Sequence, residues 1–439
     1  MSSTRMVNGV LGIPLTTPTA TAVFAILTVI GLIVLLLRRY RVWFAHGVPL
    51  AVTAALGSTV VAALLIEKVW KPFPDRLPWA VYGWAATALL AVSLLIGRWF
   101  VRRRDRARPL VATALVVSAV LVVISAAGRI DAVYDAYPTV RTVLGISDYR
   151  TVPFDDPSLR ASQTVPVEDW SASDDLPATG AVTSVTIPGT VSGFRAREAR
   201  VYLPPAYFSD PRPELPVLVL LAGQPGSPED WLVGGHLPST MDAYAAQHHG
   251  LVPVVVLADG TGGQFDNPLC ADSHLGNVAT YLAVDVPAWV RDDLQVDDDP
   301  RARAVGGLSY GGTCALQLAT TRPDVYPTFL DMSGQAEPTI GDRASTIRDV
   351  FGGDAEAFAR NNPADLLARN RYPDSAGAFV VGLDDSEYRA GVEQLASLAR
   401  SAGMDVHLTE LPGTHSFALW SAGLEKELPW LAQRLGLGN

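Results

Sequence analysis

The chain of 439 residues is nearly without lysine, with only Lys68, Lys71 and Lys426, and it has only two cysteines, Cys270 and Cys314. Scarce lysine beside plentiful Ala and Arg reads as coding bias, and no mechanism follows from it. Neither a metal-ligand spacing nor a phosphate-binding glycine loop occurs, so no cofactor and no metal are expected. Beyond residue 128 cations are outnumbered, 21 Lys+Arg against 41 Asp+Glu. That balance argues against nucleic acid as a partner, since phosphate binding needs clustered cations. Four apolar stretches, at about 20–37, 48–66, 77–97 and 109–128, hold no Asp, Glu, Lys or Arg at all. A transporter or channel keeps ionisable groups at membrane depth for its work. The stretches therefore read as an anchor or packing module, with a small cavity feeding lipid to the rest of the protein as the alternative.

Each stretch is close to the ~20 residues that a helix needs to cross ~30 Å of hydrocarbon. A cleaved signal peptide would carry its cations ahead of the first apolar core, whereas Arg38-Arg39-Tyr40-Arg41 follows it. Residues 1–128 hold 13 Lys+Arg against 3 Asp+Glu. The cations concentrate after the first stretch and after the third, at Arg98, Arg102, Arg103, Arg104, Arg106 and Arg108. Short cationic loops stay on the cytoplasmic side. Both loops are thus expected inside, and everything after Gly128 is expected outside the cytoplasmic membrane. Trp70, Trp79, Trp84 and Trp99 fall near span ends, where aromatic rings anchor at the interface.

From 129 to about 180 periodicity fades into Asp, Pro, Ser and Thr, which reads as an extracytoplasmic linker. From 181 to 439 apolar runs alternate with amphipathic stretches, the pattern of a mainly parallel, doubly wound α/β sheet. Strands are expected at 181–187, 199–203, 216–221, 253–258, 302–306, 326–332, 378–381 and 405–408. Helices are expected at 238–247, 278–290, 311–321, 387–401 and 420–435.

Gly307-Leu308-Ser309-Tyr310-Gly311 fits the G-x-S-x-G turn that lifts a serine above the end of a strand. The motif alone is moderately specific; its place between an expected strand and an expected helix makes Ser309 the candidate nucleophile. A serine hydroxyl needs an imidazole to take its proton and a carboxylate to orient that imidazole. In α/β-hydrolases the chain order is Ser, acid, His, and only His407 and His415 follow Ser309. His415, in a loop after the last expected strand, is the candidate base; His407, inside that strand, reads as a packed or surface residue. Asp384, Asp385 and Glu387 follow the preceding strand, with Asp385 preferred as the acid. The amides of Tyr310 and Gln224 are the expected oxyanion donors, Gln224 lying in Ala222-Gly223-Gln224-Pro225-Gly226.

At these residues the chain resembles the esterase D family of α/β-hydrolases, which includes S-formylglutathione hydrolases, feruloyl esterases and mycobacterial mycolyltransferases. The resemblance spans about Thr183 to Leu435. It rests on Val201-Tyr202-Leu203-Pro204-Pro205, Val217 to Gly223, Gly307 to Gly312, Gly382 to Asp385, and Gly413 to His415 with Trp420. It implies an acid three residues after Gly382, hence Asp385. Ala222 departs from the histidine that many members place there. The pairing of a multi-span N-terminus with this domain also resembles actinobacterial envelope esterases.

Cys270 and Cys314 both lie in the expected exterior domain, where oxidation is permitted, and are expected to form a disulfide. Asp272 and His274 read as surface-loop residues, with lining of an acyl or acceptor pocket as the alternative. The expected activity is cleavage or transfer of acyl esters, on lipids or glycolipids of the envelope. An acidic domain would also suit a cationic acyl group such as an aminoacyl ester of a phospholipid. An inactive binding module on a membrane anchor is the alternative from another class.

Overall fold

The computed structural model describes residues 9–37, 41–70, 72–73, 76–102 and 109–438. The chain divides into two compact units, Met1–Ile146 and Ser147–Asn439.

The first unit contains helices α1 (Pro18–Leu36), α2 (Val48–Leu64), α3 (Trp79–Arg102) and α4 (Pro109–Tyr134). Wider, π-type turns flank α2, so that its continuous helix runs from Trp43 to Trp70. All four are long and apolar enough to cross a membrane. Helices α2 and α4 outrun the expected stretches and carry Glu67, Lys68, Arg129 and Asp131 near their ends. Large apolar side chains point outward, Ile26, Val29, Val60 and Leu110 being more than half exposed. A surface of that kind is unfavourable in water and suits an apolar surround. The inward packing combines Leu35, Leu94, Leu115 and Val122 with small residues. A Cβ added at Gly31 of α1 would stand 2.6 Å from Val122 Cγ2 and 2.9 Å from the Ser118 carbonyl of α4. Such close approach is how apolar helices gain dispersion contacts where hydrophobic burial is weak. The cationic segment expected at 38–41 lies outside the described residues except for Arg41, and of the one expected at 98–108 only Arg98 and Arg102 fall within them. Arg98 is buried and donates to the Leu37 carbonyl at 2.7 Å.

In the second unit eight strands form one sheet: β1 (Ala181–Val185), β2 (Ala199–Leu203), β3 (Val217–Leu221), β4 (Val254–Ala258), β5 (Arg303–Leu308), β6 (Thr328–Met332), β7 (Ala376–Gly382) and β8 (Asp405–Leu411). Their order is β8-β7-β6-β5-β3-β4-β2-β1. The strands from β3 onward pair in parallel, and β1 and β2 are antiparallel. The runs Val-Leu-Val-Leu-Leu of β3 and Val-Val-Val-Leu-Ala of β4 are apolar throughout because both faces are covered. Val219, Leu221 and Val256 join one core layer with α6 (Val286–Asp293), α7 (Tyr310–Thr321) and α8 (Arg389–Ser401). Leu218, Leu220 and Leu257 join the other with α5 (Leu237–Ala245) and α9 (Phe417–Ala432). Each fully buried Leu or Val contributes about 1.5–3 kcal/mol.

The segment expected as linker differs from that reading. Residues 129–134 continue α4, and residues from 147 onward pack on the sheet unit. Val152 and Val182 exchange backbone hydrogen bonds with the partner segment, Val152 N to Val182 O at 3.1 Å and Val182 N to Arg150 O at 2.8 Å. Thr164–Val165 pairs with Arg212–Pro213. Backbone pairing of this kind leaves no period for sequence inspection to detect. Three short helices at Arg343–Val350, Ala355–Ala359 and Pro363–Arg369, between β6 and β7, also lie outside the expected elements. Local caps start two of them, with Asp342 accepting from Ser345 N and Asp354 from Glu356 N and Ala357 N.

Replacing Gly31 with Leu should lower the melting temperature of the protein, since overpacking against the α4 backbone costs about 1–3 kcal/mol. Thermal unfolding followed by Trp fluorescence measures it, with Gly57→Leu as control because a side chain there meets open space.

Candidate active site

Strand β5 ends at Leu308 and α7 begins at Tyr310, leaving Ser309 alone to turn the chain, at φ 54° and ψ −118°. A non-glycine residue rarely holds such angles, and the surroundings must impose them. The flanking glycines are required by space. A Cβ at Gly307 would collide with Gly311, and one at Gly311 would collide with the Leu221 and Ala222 carbonyls. Ser309 N donates to Met332 O at 2.8 Å, which stitches the turn to β6.

His415 Nε2 is 3.0 Å from Ser309 Oγ, and His415 Nδ1 is 3.0 Å from Asp385 Oδ2. Asp385 is 3% exposed, whereas Asp384 and Glu387 face solvent. The acid and imidazole loops are held together by extension of the β7–β8 ladder. Leu383 N donates to Leu411 O at 2.8 Å and Asp384 N to Gly413 O at 3.0 Å. Tyr388 stacks on the imidazole with centroids 4.0 Å apart, and Trp420 meets it edge-on at 4.8 Å. The ring is thus fixed on three sides with its Nε2 directed at the hydroxyl. His407 has a different partner: its Nε2 lies 2.6 Å from Glu427 Oε2, while the Thr409 hydroxyl donates to Glu427 Oε1 at 2.6 Å.

The loop bearing Gln224 lies beside the serine, since a Cβ on Gly223 would be 3.5 Å from Ser309 Cβ. The Gln224 side chain donates from Nε2 to Phe265 O at 2.9 Å. Tyr310 is buried; its hydroxyl donates to Gly260 O and accepts from Cys270 N, each at 2.9 Å. Burial pushes that phenol above its ordinary range. Cys270 and Cys314 are joined as a disulfide, which ties the loop after β4 to α7. Asp272 accepts from Thr280 N at 3.0 Å and from its hydroxyl at 2.6 Å, and His274 is exposed at the tip of a two-residue ladder. Both are surface-loop residues.

Two features were not visible in the sequence pattern. Arg197 and Asp259 form an ion pair at 2.8 Å beside the Gln224 loop, and an Asp at the end of an apolar strand was the available signal for it. Asp331, at the end of β6, is wholly buried below the turn. Its Oδ1 accepts from Gly334 N at 2.8 Å, while Oδ2 has no hydrogen-bond partner. Burial pushes the carboxyl up to about 7, outweighing the opposing effect of the Gly334 N–H.

An eight-stranded, mainly parallel sheet with a nucleophile-type turn after β5, an acid after β7 and a histidine after β8 defines an α/β-hydrolase. The family model described as "Putative esterase" matches residues 194–431, and the chain belongs to this esterase family. Membership places it among enzymes that cleave or transfer acyl esters. An uncharacterized protein of Corynebacterium glutamicum is 37% identical over 447 residues, covering 100% of both chains. The solved structure of a ferulic acid esterase superposes with a TM-score of 0.51 at 19% identity, covering 59% of this chain and 99% of that one. That likeness is one of fold.

Asp331 should give stability a distinctive pH dependence. Its folded pKa is raised, so the fold favours the protonated form and is progressively penalised as pH rises from about 4 to about 7. Asp331→Asn removes the titration. The melting temperature of the variant minus that of the wild type should therefore grow between pH 5 and pH 7.5 and level off above, by thermal unfolding across a pH series.

Proposed function

We propose that this chain is a membrane-anchored serine esterase or acyltransferase whose catalytic unit lies outside the cytoplasmic membrane. The observation that carries the reading is one imidazole bridging Ser309 Oγ and Asp385 Oδ2 at 3.0 Å each. In the proposed reaction His415 Nε2 takes the Ser309 proton as Oγ attacks the ester carbonyl. Asp385 holds the Nδ1–H and stabilises the imidazolium. The tetrahedral oxyanion accepts hydrogen bonds from the amides of Tyr310 and Gln224, each worth about 3–4 kcal/mol. Collapse breaks the C–O bond, and His415 returns its proton to the leaving alkoxide. The acyl group then sits on Ser309 until water or an acceptor hydroxyl, deprotonated by the same imidazole, removes it.

In this reading residues 1–128 form a four-span anchor and 181–439 form the catalytic domain, onto which residues from 147 onward also pack. Support for the location comes from three features. Four helices are long and apolar enough to span; cations cluster in the loops after the first and third; and the disulfide belongs to an oxidising compartment. An anchor of this kind favours a lipid or glycolipid ester of the envelope as substrate.

Fluorophosphonate labelling of the intact protein in membranes should vanish in Ser309→Ala, and persistent labelling would refute the nucleophile. Turnover of a chromogenic acyl ester should fall roughly 10³–10⁴-fold or more in His415→Ala and Asp385→Asn. Asp384→Asn and His407→Ala should stay within a few-fold of wild type. Envelope lipids of cells carrying the Ser309→Ala form, compared with those carrying wild type, should show which ester accumulates or which acyl product is lost.

A further inference from the structure

The loop after β3 has no regular secondary structure to hold the Gln224 amide, and what holds it comes from another part of the chain. The backbone amide of Arg197 donates to Asp259 Oδ2 at 2.7 Å, and its side-chain Nε donates to the same oxygen at 3.1 Å. Arg197 Nη2 faces three acceptors: Asp259 Oδ1 at 2.8 Å, Thr261 Oγ1 at 2.7 Å and Gly226 O at 2.9 Å. Asp259, 1% exposed, also accepts from the amides of Thr261 and Gly262. Burial acts to raise the Asp259 pKa, but the Arg197 hydrogen bonds and charge prevail and hold it below the ordinary range. The carboxylate therefore stays charged across neutral pH and keeps the guanidinium in place.

We propose that Arg197, locked by Asp259, is a positioning residue that fixes the loop bearing the Gln224 amide and thereby sets the oxyanion site. The inference rests on the Ser309 reading above. Arg197 Nη2 holds Gly226, two residues beyond Gln224, while Gly226 N donates to Gln264 O at 3.1 Å and Gln224 Nε2 to Phe265 O. The loop after β3 is thus laced to the loop after β4 at Gln224 and at Gly226. The Tyr310 hydroxyl donates to Gly260 O of that same second loop. The two residues with the proposed donor amides therefore share one support, organised by the Arg197–Asp259 pair. A planar guanidinium can bridge a carboxylate, a hydroxyl and a carbonyl together, which a lysine ammonium on a flexible stem does not reproduce.

The test measures kcat and KM for a chromogenic acyl ester in the full-length, detergent-solubilised protein. It adds the inhibition constant of a trifluoromethyl ketone, whose adduct places an oxyanion in the same site. Arg197→Ala should lower kcat roughly 10–100-fold, the effect of a displaced donor, with KM within about 3-fold. The inhibition constant should weaken by the same factor as kcat/KM falls. Arg197→Lys should fall between Ala and wild type, and it serves if the Ala form does not fold. A role confined to stability would lower the melting temperature and leave both the inhibitor affinity and the kcat of folded protein unchanged, which would overturn the proposal. Wild-type and Ser309→Ala proteins run alongside. Turnover that survives Ser309→Ala overturns the underlying reading and this one with it; Ser309-dependent turnover that Arg197→Lys and Arg197→Ala leave intact overturns this one alone.

Discussion

The structure around the site depends on one tightly constrained bend, the left-handed turn at Ser309 between β5 and α7. A residue with a Cβ does not settle at φ 54° by preference, so neighbouring segments must make every alternative worse. Two steric requirements and one hydrogen bond do this: Gly307 against Gly311, Gly311 against the end of β3, and Ser309 N to Met332 O. The buried sheet supplies the rigidity, because β3 and β6 flank β5 on both sides in parallel register. Core packing on both faces of the sheet is therefore the source of the precision at the hydroxyl. The local sequence merely permits the bend.

The imidazole and its acid obey a different logic. They come from the C-terminal part of the unit's chain, the acid after β7 and the imidazole after the edge strand β8, which has one neighbour. A single edge strand is a poor platform for a 3 Å alignment, and the loops beyond β7 and β8 compensate by continuing to pair. A Cβ at Gly382 would collide with the Gly413 carbonyl, so the bare Gly382 lets the loops meet closely enough for Asp385 and His415 to bond. Aromatic faces then restrict the ring. Glu427 has a related structural part to play: it bonds His407 and Thr409 of β8 from α9 and pins the edge strand to the helix that carries Trp420.

Much of this was legible in the sequence because the signals are local or periodic. Continuous apolar runs marked β3 and β4, and a glycine-framed serine between a strand and a helix marked the bend. Chain order left His407 and His415, and a loop position selected His415; Asp385 was preferred to Asp384 through a family spacing, and in the structure Asp385 faces inward and Asp384 outward. What escaped was non-periodic or long-range. Residues 147–180 pair with strands through backbone groups, and Arg197 meets Asp259 across 62 residues of chain. Among Arg195, Arg197 and Arg200 nothing local distinguishes the arginine that faces a buried carboxylate. Asp331 carried no signal either, because its significance is its solitude in a low-dielectric interior.

The helical unit and the sheet unit have opposite relations to solvent, and this bears on how a tethered enzyme of this kind would work. In the sheet unit, apolar side chains are covered by helices on both faces, and the hydrophobic effect is satisfied within the unit. In the helical unit many large apolar side chains look outward, and the interior combines small residues, Gly31, Ala51, Ala55, Ala119 and Ser118, with Leu35, Trp43, Leu94, Leu115 and Val122. In lipid such a bundle would gain little from the hydrophobic effect between its helices and would be held by close packing, while its outward apolar surface would meet lipid tails. Under the proposed anchoring, the covalent link would confine the sheet unit to the membrane. Membrane-borne esters would then be met at a high effective concentration without any special affinity of the pocket. Selectivity would fall to whatever surrounds the oxyanion loop, which is why the support of that loop from outside its own segment matters more than its modest sequence signature implies.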